Sequence, residues 1–398
     1  MKIGKDKLVL LLILLAGFVL RIAVSPHYTH TNDMGLWMYW AKAIAENGFQ
    51  NFFTKVSWTD YLPFYFYFLF ILEKITPLVS IDINLLFKMP AIIADILTTI
   101  LIYSIAKKFE LKNPNLIASL YIFNPAIFAN SAMWGQVDGI GALIIIAALY
   151  FFINQKEILL GLIIAMAILF KPLYLFLLPI ILVAQMRLNF FKLPILISSV
   201  LTSTFLLTLP FVSNIIYIPK LIYDRYQASL NQYPYASANA FNFWGMMGQN
   251  WVNDGTLFWG VTFHNWGLLL FGLIFLLVIL SLIFNRSKSL SYLKLITLSL
   301  AITFLAIFTF ATRAHERHLL TFFPLFVFFV TGGRVFLIFY VLLSAIYLTD
   351  LYFALYYLYL NGGYIFSNNI IQLFSAGIVL SCLFLVYKYT FQVKSIIK

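Results

Sequence analysis

The feature that most constrains this chain is the recurrence of apolar runs near the length of a membrane crossing. They lie near residues 8–24, 89–106, 114–130, 139–153, 157–170, 172–185, 193–210, 266–284, 293–310, 319–331, 335–350 and 370–387. A helix that spans a bilayer takes about 20 apolar residues, and each run reaches or approaches that length. With 63% hydrophobic and 10% charged residues, too little polar surface remains to coat a water-soluble particle of this size. The expectation is one all-α integral membrane domain over residues 1–398, a polytopic bundle of about 12 transmembrane helices.

The charges supply a topology. If the N-terminus is cytoplasmic and all the runs cross, the inner segments are 1–7, 107–113, 154–157, 185–192, 285–294, 332–334 and 388–398. They hold 16 of the 26 Lys and Arg, with only Asp6, Glu110 and Glu157 as acids. That asymmetry follows the positive-inside rule. It accounts for the net charge of +12 without nucleic acid, which would need a basic patch or stripe. Both termini are then cytoplasmic, and the first run, ending at Ser25-Pro26 without an Ala-x-Ala pattern, reads as a retained span. The lone Cys382 excludes an intrachain disulfide and a cysteine-held metal.

Two long extracytoplasmic loops result, residues 25–88 and 211–265. The apolar stretch Leu62–Leu72 inside the first is too short to cross and fits an interfacial or re-entrant piece. Trp37, Trp40, Ala41 and Ile44 recur at i, i+3, i+4 and i+7, opposite Gly35, Tyr39, Lys42 and Glu46, which is an amphipathic helical pattern. The loop is expected to hold two interfacial helices, the first lying flat on the outer leaflet.

Few acids are available for chemistry, and several stand at the water–membrane boundary. Asp33, Asp60, Asp138 and Glu316 each sit in an outer loop beside aromatic or cationic residues, where a carboxylate can serve as general base on a hydroxyl. Each also has a plainer role: Asp33 as a helix cap, Asp60 and Asp138 as turn residues. Asp95, inside a span, is costly to bury and is expected to pair with Lys88 or Arg21. Among cations, Lys171 and the segment Arg313-Ala314-His315-Glu316-Arg317-His318 break the positive-inside trend. They make a candidate anion site, because Arg presents forked donors that match phosphate oxygens; snorkelling to lipid headgroups is the alternative. His-Glu-Arg-His is one residue short of a zinc-binding His-Glu-x-x-His, so no metal site is assigned. No Walker loop, Gly-x-Gly-x-x-Gly or Asp-x-Asp occurs, which argues against cytoplasmic nucleotide chemistry. The second loop adds Tyr233, Tyr235, Trp244, Trp251 and Trp259, whose faces suit sugar rings and equally suit the membrane interface.

Outer carboxylates, outer cations and aromatic faces together fit sugar transfer from a lipid phosphate, whose leaving group is already a stable anion. At this point the chain resembles the GT-C superfamily of polytopic glycosyltransferases, most nearly the prokaryotic relatives of GPI-anchor mannosyltransferases. The resemblance runs over most of residues 1–330. It is carried by Asn32-Asp33, Asp60-Tyr61-Leu62-Pro63-Phe64-Tyr65, Trp134-Gly135-Gln136-Val137-Asp138, Lys171-Pro172 and His315-Glu316-Arg317-His318, in that order. It implies a GT-C-like fold and a membrane enzyme moving a hexose, commonly mannose, from a polyprenyl-phosphate donor to a glycan, lipid or protein acceptor, with inversion. Asp33 would be the catalytic base, and Lys171, His315, Arg317 and Arg313 would hold the donor phosphate. Asp60, Trp134, Gln136, Asp138, Glu316 and His318 would line the substrate pocket. No cofactor is implied, and a divalent cation is compatible but not indicated. The rival from another class is a transporter or flippase of lipid-linked sugars, which would place ionisable residues near the midplane and show two related halves. A non-catalytic partner protein with the same scaffold is a third. The expected location is a cell membrane, with the endoplasmic reticulum membrane as alternative.

Overall fold

The structure is a computed structural model that describes residues 4–27, 29, 31–56, 58–285, 290–360 and 362–397. Lys2, Arg286, Lys288 and Lys398, counted above among the inner charges, lie outside the described residues. The chain opens with α1 (Lys5–Val24), α2 (Thr31–Lys55), α3 (Pro63–Ile75), α4 (Ile83–Lys108), α5 (Pro114–Ile122) and α6 (Pro125–Phe128). A π-helical turn over Ala129–Trp134 leads into α7 (Asp138–Ile153) and α8 (Glu157–Ile168). Then come α9 (Leu177–Asn189), α10 (Leu193–Thr208), α11 (Ile218–Asn231), α12 (Phe243–Met246), α13 (Phe263–Phe284), α14 (Leu290–Phe310), α15 (Phe323–Phe326), α16 (Arg334–Tyr359) and α17 (Asn368–Ile397). Among the described residues, four two-residue strands interrupt this all-α fold, β1 (Ser237–Ala238), β2 (Leu257–Phe258), β3 (Val261–Thr262) and β4 (Ala314–His315).

By length and apolar composition, seven helical stretches among the described residues are fit to cross a membrane: α1, α4, Pro172–Phe211 with α9 and α10 inside it, α13, α14, α16 and most of α17. An eighth appears if Pro114–Ile122 and Pro125–Trp134, bent by 44°, form one broken span. Proline accounts for that bend, since Pro125 has no N–H to donate and the Asn124 side chain accepts from Ala126 N instead. Helices α7 and α8 are shorter, at 16 and 12 residues. The run 319–331 is made of tight 3-10 turns around the four-residue α15. The twelve apolar runs are thus mainly helical, yet a count of twelve crossings requires these short pieces to cross as well.

The chain divides into two compact units. One comprises Phe18–Leu97 and Ser131–Gln232. Here α2 buries Trp37, Trp40, Ala41 and Ile44 to 2% exposure or less, while Gly35, Tyr39, Lys42 and Glu46 face outward. The partners of that face are protein. Trp40 packs on Trp58, Tyr61 and Phe66 at ring separations of 5.8, 5.7 and 5.9 Å, and Trp37 meets Tyr65 edge-on at 6.1 Å. The expectation that this face rests on lipid is therefore corrected: α3 and the residues before it cover it. Rings gain from fixed edge-to-face packing, which fluid acyl chains do not supply. In the same unit α8 and α10 approach so closely that a Cβ at Gly161 would collide with Ser199 Cβ and Oγ. Ser199 Oγ also donates to Ile158 O across that contact, at 2.7 Å. Small residues at such a crossing let backbones approach and gain packing without a hydrophobic drive.

The other unit comprises Met1–Gly17, Thr98–Asn130 and Tyr233–Lys398. Its centre is α14, 83% buried along its most apolar stretch, against 11% for α1. Several polar groups inside pair across helices, as burial favours. Ser299 Oγ lies 2.7 Å from Tyr389 Oη, and Ser344 Oγ donates to Asn124 Oδ1 at 2.6 Å. Replacing Gly161 by Leu should force α8 and α10 apart and lower the melting temperature in detergent by several degrees, equivalent to about 1–3 kcal/mol of overpacking. Gly161→Ala should be milder, and thermal scanning of both variants measures the order.

Candidate functional site

In the first unit, the site grows from a backbone reversal. Gly135 adopts φ 90°, and a Cβ there would sit 2.8 Å from Met34 Cε and 3.2 Å from Lys88 Cε. Only glycine tolerates both constraints. The reversal aims the residues on either side of it at one carboxylate: Trp134 Nε1 donates to Asp33 Oδ2 at 3.0 Å and Gln136 Nε2 donates to the same oxygen at 2.8 Å. Asp33 is the third residue of α2, in its first turn, where the helix dipole favours negative charge. Trp134 and Gln136 are buried and half-polar, so their N–H groups need an acceptor. Both side chains donate to Asp33 Oδ2, which fixes the direction of the carboxylate.

Tyr65, which sequence reasoning named only as part of a motif, belongs to this cluster. Its ring touches Trp37 and Tyr61, and its hydroxyl is buried with no hydrogen-bond partner. Burial first, and the Asp33 carboxylate second, push the phenol well above its usual range. Tyr65 is therefore a neutral donor at all ordinary pH values. Asp60 is half-buried in the extended stretch leading to α3. Lys171 Nζ donates to the buried Asp138 Oδ1 at 2.8 Å and lies over the Tyr61 and Phe170 rings at 5.4 and 5.8 Å. One expected phosphate ligand and one expected pocket acid are thus an ion pair, backed by cation–π contact. Asp95 takes Arg21 as its partner, Nε to Oδ2 at 2.9 Å, and accepts from Ser131 Oγ at 2.6 Å.

In the second unit, β1 and β4 pair in parallel, aligning Ala238 with His315. Arg313 enters this strand with φ 65°, and its backbone N–H bonds to Tyr235 O at 2.8 Å. Its guanidinium turns to Asp254, Nε to Oδ2 at 2.7 Å and Nη2 to Oδ1 at 3.4 Å. Thr312 Oγ1 donates to Asp254 Oδ2 as well, at 3.0 Å. Asp254 stands in an Asn-Asp-Gly turn, which hides it among ordinary turn residues in the sequence. Beyond β4, Arg317 Nη1 bonds to the buried Glu316 Oε1 at 3.1 Å, and the His315 backbone N–H donates to His318 Nδ1 at 3.3 Å. Tyr233 packs edge-on against the His315 ring at 4.6 Å. The structure thus brings His315, Glu316, Arg317 and His318 together but directs Arg313 to Asp254. Among the described residues, no three His, Cys, Asp or Glu side chains gather as a metal site.

No protein-family model and no curated protein matches the chain. Among solved structures it resembles ArnT from Cupriavidus metallidurans, determined bound to undecaprenyl phosphate. The match has a TM-score of 0.51 at 11% sequence identity and covers 96% of this chain and 77% of that one. The likeness is one of fold. An all-α membrane protein of that architecture is what the apolar runs and motifs anticipate. Within it, the Arg313–Asp254 pair ties residues 233–262 to the segment before β4. Asp254→Ala should leave the guanidinium half-buried without its carboxylate, costing about 1–3 kcal/mol. Limited proteolysis should then cut within residues 233–262 faster than in the parent protein.

Proposed function

We propose that this protein is a membrane glycosyltransferase that moves a hexose, mannose before glucose, from a polyprenyl-phosphate donor to an acceptor hydroxyl at the extracytoplasmic face. The observation that carries this is the Asp33 carboxylate, held by Trp134 and Gln136 in the first turn of α2. A fold shared with a protein solved with undecaprenyl phosphate supports the lipid-linked donor. Asp33 takes the proton as the acceptor oxygen bonds to the anomeric carbon. The bond from that carbon to the phosphate oxygen breaks on the opposite side, which inverts the centre and releases polyprenyl phosphate. A phosphate leaves as an anion and wants cations rather than a proton, which gives Lys171, His315 and Arg317 their role. Arg313 serves that set by fixing its strand through Asp254. Asp60, Trp134, Gln136 and Asp138 in one unit, and Glu316 and His318 in the other, are the proposed substrate-contacting residues, and both termini are proposed to lie in the cytoplasm of a cell bounded by this membrane.

Purified protein incubated with labelled polyprenyl-phosphate-mannose and polyprenyl-phosphate-glucose should move the mannose label to an acceptor, and failure with both donors would overturn the assignment. Asp33→Asn should lower turnover by about 10²- to 10⁴-fold while donor affinity stays within about twofold of the parent; full activity would remove Asp33 from the chemistry. Arg317→Ala should raise the donor KM by about 10- to 100-fold, as expected for a charged hydrogen bond, with kcat much less affected. A change confined to acceptor KM would show that Arg317 does not hold the phosphate.

A further inference from the structure

Helix α4 carries two buried ionisable groups, Lys88 and Asp95, seven residues apart and so on one face. Each joins the same two stretches of chain. Asp95 binds Arg21 on one side and Ser131 on the other. Two turns earlier, Lys88 Nζ donates to Ser25 O at 2.8 Å, to Thr29 Oγ1 at 3.1 Å and to Met133 O at 3.0 Å. The stretch 21–29 leads into α2, whose first turn carries Asp33. The stretch 131–133 leads directly into Trp134 and Gln136, the two donors to Asp33. The alkyl chain of Lys88 also fills the space beside Gly135, the reversal that aims those donors.

A buried ammonium is expensive, and an apolar side chain of equal length would anchor α4 at lower cost. What the ammonium adds is three N–H bonds in fixed directions, one for each of three oxygens on two chain segments. Arginine, with a planar fork, does not reproduce that geometry. We propose that Lys88 is a positioning residue for Asp33: its three-way clamp sets the separation between the carboxylate and its Trp134 and Gln136 donors, and thereby the direction in which the carboxylate meets an acceptor hydroxyl. This rests on the assignment of Asp33 as base. Asp95 with Arg21 and Ser131 forms the second rung, which keeps the two stretches from sliding along α4.

The test reads the clamp with and without turnover. In protein labelled with 5-fluorotryptophan, the Trp134 resonance is assigned by Trp134→Phe. In Lys88→Met it should shift in the same direction as in Asp33→Asn, while the other tryptophan resonances hold their positions. In the transfer assay, Lys88→Met should lower kcat by about 10- to 100-fold, the scale of a small displacement of a reacting group, with donor KM within about twofold. Thr29→Val, which removes one acceptor and little volume, should move the Trp134 resonance the same way by a smaller amount, and it carries the test if Lys88→Met does not fold. An unmoved Trp134 resonance in a folded Lys88→Met or Thr29→Val protein overturns the proposal, as does a loss expressed in donor KM rather than kcat. If the parent protein transfers neither sugar while the resonance moves as expected, the enzymatic assignment fails and the clamp stands.

Discussion

A polar group inside this bundle has no water to turn to, and that single constraint organises the structure. Each buried donor or acceptor that lacked a partner would cost on the order of several kcal/mol in hydrocarbon. Helices answer the backbone's demand, and the side chains must answer their own. Arg21 with Asp95, Lys171 with Asp138 and Arg313 with Asp254 are the main answers. Each pair ties together segments far apart in the chain, so neutralising charge and fixing geometry are the same event.

Around Asp33 the constraint is turned toward chemistry. Trp134 and Gln136 are nearly fully buried, and the carboxylate is their acceptor. Two neutral donors meeting on one oxygen fix the direction of the carboxylate and favour its charged form. The Asp138–Lys171 pair is the contrast: there a buried acid meets a cation directly, and the rings of Tyr61 and Phe170 shield the result. Two acids in one unit thus receive different donors, an indole and an amide for one and an ammonium for the other.

Several features were legible from residue order. The alternation of Trp37, Trp40, Ala41 and Ile44 with polar positions is borne out as the buried face of α2, although its partner is α3 and not lipid. The stretch Leu62–Leu72 is short, as its eleven residues imply, and forms most of the 13-residue α3. Asp95 was visible as a costly residue in an apolar run with Lys88 or Arg21 as its expected partner, yet the sequence could not say that it would take the arginine while Lys88 held three neutral oxygens. Asp254 was not singled out in the sequence, and Tyr65 entered only as the last residue of a motif. Neither carries a local signal, because a hydrogen-bond partner 59 residues away, as Arg313 is from Asp254, leaves no trace in neighbouring sequence.

Sequence alone therefore determined that the chain belongs in a membrane, that it is helical, and which few ionisable residues would need an explanation. Apolar length and helical periodicity are local properties, and the bilayer enforces them one segment at a time. Which charge meets which, and which donors a given carboxylate receives, only the tertiary structure decided. Those choices depend on distant segments, 63 residues apart for Lys88 with Ser25 and 103 for Asp33 with Gln136, being brought to 2.8 Å, and low-dielectric electrostatics changes steeply over that distance.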